Sequence, residues 1–239
     1  MKSIIICEGA SDFALIQYFM RKANGWDDFR RGIFNPCSDK SRDLKKNGNL
    51  LTIISSNGCS RLLEALSAVI EYNKNEPKID EKYLKIAIVT DNDDGNIETD
   101  FLDDIKKKLN IKSLQISNNK WFNYKIKDFA DRLLTLEILP LIIPYDESGA
   151  METFLLKAIA DNNDYDKEII RKTKNFVDTV DPENRYNKRR GYKVKAKYEV
   201  FFSVRTAAEE WKERGNILRN ISWENYSLIQ SGFKELSKL

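Results

Sequence analysis

The chain has 239 residues and no histidine. Without imidazole there is no Ser-His-Asp triad, no Cys-His pair and no HExxH zinc helix, so any chemistry must run on carboxylates, lysines, hydroxyls or bound cations. The net charge of +3 excludes nothing as a sum, but residues 185–239 carry 13 basic and 6 acidic side chains against 27 and 31 in the residues before them. An acidic body therefore precedes a basic tail.

In chain order, Ser3 to Cys7 is a β-branched apolar run that ends at Glu8-Gly9, and apolar residues then recur at helical spacing from Ser11 to Lys22. The unit repeats: Leu50 to Ile54 reads as a strand, Ser55 to Ser60 as a Gly-containing turn and Arg61 to Tyr72 as a helix. A third strand, Ile86 to Thr90, turns through the acidic segment 91–95 into a helix ending near Leu109. Three alternations of strand and helix predict a parallel sheet with right-handed crossovers. Lys112 to Ser117, Trp121 to Lys127 and Leu133 to Ile143 read as further strands, the last interrupted by Pro140. A helix is expected from Ala150 and another after Asp164, followed by a loop through residues 181–193 and helices over Ala196 to Arg214 and Trp223 to Leu239. The expected organisation is an α/β core, a Rossmannoid parallel sheet flanked by helices over residues 1–160, with a helical, basic extension packed on it over 161–239.

Cys7, Cys37 and Cys59 lack CxxC spacing and read as core thiols rather than a disulfide framework or a zinc site. The apolar run after Met1 is too short for a signal peptide, and no stretch reaches the roughly 20 apolar residues that span a bilayer. A cytoplasmic protein with no membrane partner is expected. Trp121, Trp211 and Trp223 read as core packing.

In an open parallel sheet the loops leaving the carboxyl ends of the strands form the binding crevice. Glu8 follows the first strand and Asp12 lies four residues on; Asp91 and Asp93 follow the third β-unit at a spacing of two, which puts both on one side of an extended segment. Two carboxylates about 4 Å apart at an effective dielectric near 20 repel by about 4 kcal/mol. Such a group either holds protons or binds a hard cation, and an oxygen-only site favours Mg²⁺ or Mn²⁺ over zinc.

At these residues the chain resembles the Toprim family, shared by bacterial primases, topoisomerases and OLD-type nucleases. The motifs are IIICEGASD at 4–12, SSNGCSRLLEAL at 55–66 and VTDNDDG at 89–95, over roughly residues 1–118. The remainder is similar to the small OLD-like branch, through PYDESGAMETFLLKAI at 144–159, KVKAK at 193–197 and a Trp-containing terminal segment. The resemblance implies that Glu8, Asp12, Asp91, Asp93 and Glu152 hold metal, with Glu147 replacing or supporting Glu152, and that Glu8 can act as general acid or base. It implies that Lys195 or Lys197 stabilises transition-state charge. No GxxxxGK[ST] is present, so the chain corresponds to the nuclease half and a separate ATPase or regulatory protein is expected as partner.

The segment 185–197 carries Arg185, Lys188, Arg189, Arg190 and Lys193 ahead of the two candidate catalytic lysines, with no acid and with Tyr186 and Tyr192 interleaved. Cations there neutralise phosphates and the rings stack on bases, so nucleic acid is the expected partner. Asn57, Ser60 and Arg61 are placed either to contact phosphate or to cap the second helix. The expected activity is Mg²⁺-dependent hydrolysis or nicking of DNA or RNA, in a defence or repair setting. The alternatives are a non-catalytic nucleic-acid-binding or partner-regulated Toprim module, and a phosphotransferase or phosphatase with an acidic Mg²⁺ pocket. The last conventionally needs an Asp nucleophile where this chain has Glu8.

Overall fold

The computed structural model describes residues 1–30, 40–92, 97–111, 113–207 and 221–239. Seven strands form one sheet in the order β2-β3-β4-β1-β5-β7-β6. They are β1 (Lys2–Cys7), β2 (Asp27–Arg30), β3 (Lys40–Lys46), β4 (Asn49–Ser55), β5 (Tyr83–Asp91), β6 (Phe122–Lys127) and β7 (Leu133–Ile143). β1 is parallel to both β4 and β5, with Ile5 opposite Ile53 on one side and Ala87 on the other. The chain is therefore α/β with a Rossmann-like centre. The outer strands modify the expected all-parallel sheet: β3 runs antiparallel to both of its neighbours, β2 and β4, and β6 is antiparallel to β7.

Both faces of the central strands are buried, which is why β1 reads as a continuous apolar run rather than an alternation. The first three helices are α1 (Ala10–Lys22), α2 (Cys59–Asn75) and α3 (Ile97–Leu109). One core cluster joins Ile4, Ile6, Leu66, Ile88, Ile105 and Ile138, all fully buried. The same unit holds an ion pair with no exposed side-chain surface, Lys82 Nζ to Asp128 at 3.3 Å, which Arg132 joins at 2.7 Å. Burial alone would raise the Asp128 pKa. The bonds from Arg132, from the Ala130 N–H and from Lys82 outweigh it and hold the carboxyl far below its ordinary value.

The later helices are α4 (Met151–Asn162), α5 (Asp164–Val180), α6 (Arg190–Arg205) and α7 (Ser227–Gly232). The chain divides into two compact units: Met1–Thr90, Asn96–Ile142 and Glu235–Leu239 form the first, and Asp91–Gly95 with Ile143–Lys234 the second. The boundary expected at residue 160 falls inside α4. The second unit has an aromatic core. Phe154 packs against Tyr145 and Phe233 with ring centroids 6.2 and 5.7 Å apart, and Phe201 packs on Phe202 at 5.0 Å.

Three local expectations change. No strand forms over Ser113 to Ser117; Leu114 N–H turns back to Ile111 O, and Leu114 and Ile116 pack on the core without a strand partner. Helix α6 starts six residues before the expected Ala196, so half of the basic segment read as loop is helical. The segment Trp223 to Leu239 is not one helix but a 3₁₀ turn (Trp223–Asn225), α7 and a second 3₁₀ turn (Lys234–Lys238), broken at Tyr226 and Phe233. A Cβ on Gly232 would come within 2.6 Å of the Phe154 ring, so the break lies where the backbone presses on the aromatic core. Trp223 is fully buried, and Trp121 is half-buried with its Nε1 donating to Glu235 O; Trp211 lies outside the described residues. Cys7 is a buried free thiol, whereas Cys37 and the Cys59 side chain lie outside the description.

Candidate active site and basic interface

In the first unit, parallel pairing of β1 with β4 and β5 brings three strand ends together and stitches the loops that leave them. Glu8 N–H donates to Val89 O at 3.0 Å, and Ser56 and Gly58 N–H donate to Cys7 O and Glu8 O at 2.8 and 2.9 Å. Asn57 and Gly58 take left-handed φ values of 61° and 121° to make this turn, which is the use of the Asn-Gly dipeptide there. Glu8 is thus fixed by its backbone on both sides. Its side chain is fixed too: Thr90 Oγ1, fully buried on β5, donates to Glu8 Oε2 at 2.6 Å. Asp12 is buried, and its Oδ2 accepts the Gly9 N–H at 2.8 Å, closing the first turn of α1. The Cys7 thiol beneath is pushed well up, first by burial and then by the Asp12 charge.

In the second unit, Asp91 Oδ1 accepts the Met151 N–H at 2.9 Å and so caps α4. Asn92 N–H donates to Ile143 O, its carbonyl accepts from Gly149 N–H, and its side-chain nitrogen donates to Pro144 O and Glu147 O. Gly149 is required by contact: a Cβ there would lie 2.4 Å from Thr153 Oγ1. Glu152 stands half-buried in the first turn of α4, and its charge, after burial, helps raise the Tyr198 phenol. Asp93 lies outside the described residues. Among the described residues no three acidic or cysteine side chains converge as a metal-holding group. Asp12 and Asp91 thus each give an oxygen to a backbone N–H at a helix N-terminus.

The candidate lysines differ from one another. Lys197 pairs with Asp178 at 2.8 Å, whereas Lys195 is exposed. Asp181 organises the basic segment, its two oxygens accepting the N–H groups of Arg185, Tyr186 and Asn187, each at 2.9 Å. These backbone bonds hold its carboxyl below its ordinary pKa, with a smaller contribution from Lys193. Arg185, Lys188, Arg189 and Arg190 are exposed and Lys193 is half-buried. Tyr186 is 78% exposed, and the Arg189 guanidinium sits 5.8 Å from the centroid of Tyr192. Sequence reasoning did not single out Thr90, Ser148 or Lys174; a lone Thr inside an apolar strand was the signal available for the first.

The family model described as "Protein of unknown function (DUF3226)" matches residues 2–228. The chain belongs to the DUF3226 family. No curated protein matches this DUF3226 chain. Among solved structures it is similar to the crystal structure of hypothetical protein PH0156 from Pyrococcus horikoshii OT3, at 15% identity and a TM-score of 0.53, covering 98% of this chain and 99% of that one. At that identity the likeness speaks for the fold alone, and it extends over nearly the whole DUF3226 chain. Among its described residues, no helix is long and apolar enough to cross a membrane.

Proposed function

We propose that this protein is a cytoplasmic, Mg²⁺- or Mn²⁺-dependent phosphodiesterase that hydrolyses or nicks DNA or RNA. The observation that carries the reading is Glu8, an acid placed directly after a central parallel strand and oriented by the buried Thr90 hydroxyl at 2.6 Å. A core that spends a buried donor on a carboxylate fixes the orientation of the whole group, as a ligand or a proton carrier requires. Mg²⁺ is commonly held by one or two carboxylates, with waters and phosphate oxygens filling the rest, so Glu8 and one further acid fit it without a larger cluster. When bound, the ion supplies charge neutralisation and activation of water. Asp91, Asp93 and Glu152 are the remaining ligand candidates, and Asp12 supports the Glu8 turn through Gly9. Arg185, Lys188, Arg189, Arg190 and Lys193 hold the nucleic acid, and the exposed Lys195 is the better candidate for the transition-state charge because Lys197 is paired with Asp178. A separate ATPase or regulatory protein is the expected partner.

A second reading, a non-catalytic nucleic-acid-binding module, is favoured by the capping bonds of Asp12 and Asp91, which give both acids a structural use. One assay separates the two. Supercoiled plasmid, single-stranded DNA and structured RNA are incubated with Mg²⁺, Mn²⁺ or EDTA, using wild type, Glu8→Gln, Asp93→Ala and Asp91→Asn, the last chosen because it keeps an oxygen for Met151. Metal-dependent cleavage abolished by Glu8→Gln supports the phosphodiesterase. Binding without cleavage by any form supports the module.

A further inference from the structure

We propose that the second unit carries a preformed pocket for a phosphoryl group, lined by cations of α5 and α6. The cavity has a volume of about 200 Å³ and is lined by Lys174, Arg190, Lys193 and Lys197, with the Ser148 and Thr153 hydroxyls on its α4 side. Pockets that enclose whole drug-sized ligands run to roughly 300–1,000 Å³, so this one suits a single anionic group rather than an entire nucleotide.

The charges there are unbalanced in one direction. Lys197 has its counter-charge in Asp178 at 2.8 Å. Lys174, Arg190 and Lys193 form no ion pair within 4.0 Å among the described residues, and the only acid on the lining is the exposed Glu147. Lys174 and Lys193 are half-buried, so their mutual repulsion is less screened than it would be on an open surface. A bound dianion relieves it. The pocket is also held in shape before any ligand arrives. Ser148 Oγ accepts a hydrogen bond from the Arg190 guanidinium, and the neighbouring Gly149 lets the loop close on Thr153, where a Cβ would collide. The first turn of the 16-residue helix α6 begins at Arg190, and its dipole adds to the attraction for an anion. Arginine forks, flexible ammonium groups and hydroxyls together are the donor set that phosphate oxygens accept from.

The ligand chemistry is a phosphate dianion, either free or at the end of a polynucleotide. The pocket stands apart from the hydrolytic reading because occupancy needs no metal and no turnover. Calorimetric titration in EDTA with inorganic phosphate is expected to saturate. Affinity should fall at least tenfold in Lys174→Ala and in Lys193→Ala, persist in Lys193→Arg and in the control Lys172→Ala, and rise in Glu147→Gln. Absence of saturable binding, or equal affinity in both alanine variants with their melting curves unchanged, overturns the proposal. Should an alanine variant melt early, the opposite shifts of Glu147→Gln and Lys193→Arg decide: no gain in the first, or a tenfold loss in the second, overturns it. Titration with one oligonucleotide carrying a 5′-phosphate or a 5′-hydroxyl then assigns the source, a preference for the phosphorylated end indicating a polynucleotide terminus and equal binding a free anion. Failure of cleavage in the plasmid assay with phosphate binding intact would remove the phosphodiesterase and leave the pocket.

Discussion

Thr90 reaches from β5 to the Glu8 carboxylate, and its replacement by valine keeps the shape of the strand while deleting the donor. If Glu8 must be aimed, Thr90→Val should lower metal-dependent cleavage about tenfold, the worth of one charge-assisted hydrogen bond, and raise the Mg²⁺ concentration needed for half activity. A circular dichroism spectrum and melting curve like the wild type's would accompany it; unaltered cleavage would take orientation of Glu8 out of the mechanism. Asp181 makes a pH prediction of the opposite kind. Its folded pKa is lowered by three backbone bonds, so the stabilisation is complete above the unfolded carboxylate pKa near 3.9 and is lost as pH falls through the lower folded value. Amide protection at Arg185, Tyr186 and Asn187 should therefore hold from neutrality down to about pH 4 and decline only in stronger acid. Asp181→Asn should weaken that protection at neutral pH and abolish the acid-dependent decline.

At the scale of elements, β1, β4, β5 and β7 were legible because burial on both faces leaves unbroken apolar runs, and α1 and α2 because one stripe of each is apolar. Pro140 did not break β7: the β6 ladder ends at Ile138, so the missing N–H leaves no partner in β6 unsatisfied. β3 was not read, since KSRDLKK shows no apolar run and buries only Asp43 and Leu44. Its signal was the turn. Asn47-Gly48, both at positive φ between the paired Lys46 and Asn49, is the dipeptide of a two-residue hairpin. In the candidate site Glu8 was legible from chain order alone, whereas the commitment of Asp12 and Asp91 to backbone N–H groups depends on which helix starts beside each acid. The second unit is held by its aromatic core. Phe154→Ala, at a side chain 1% exposed between Tyr145 and Phe233, should cost about 3–5 kcal/mol, measured by denaturant unfolding. A loss below about 1 kcal/mol would mean the core closes around the gap.

Across the whole molecule, the proposed nucleic-acid partner would meet a charge split between an acidic body and a basic tail. The exposed cations of residues 185–190 should make the logarithm of nucleic-acid affinity fall linearly with the logarithm of salt, by about 0.7–0.9 per phosphate neutralised. A double variant, Arg185→Ala with Lys188→Ala, should flatten that slope by up to about two and lower affinity alike for all sequences. An unchanged slope would move the interface elsewhere on the surface.

The first unit is also discontinuous along the chain, because Glu235–Leu239 belongs to it: Leu236 is fully buried, Lys85 Nζ donates to Lys238 O and Trp121 Nε1 donates to Glu235 O. During synthesis, at about 5–20 residues per second, that unit waits on the order of ten seconds for its last segment while the residues of the second unit emerge. The order of translation therefore lets the later helices consolidate before the first unit has its closing 3₁₀ turn.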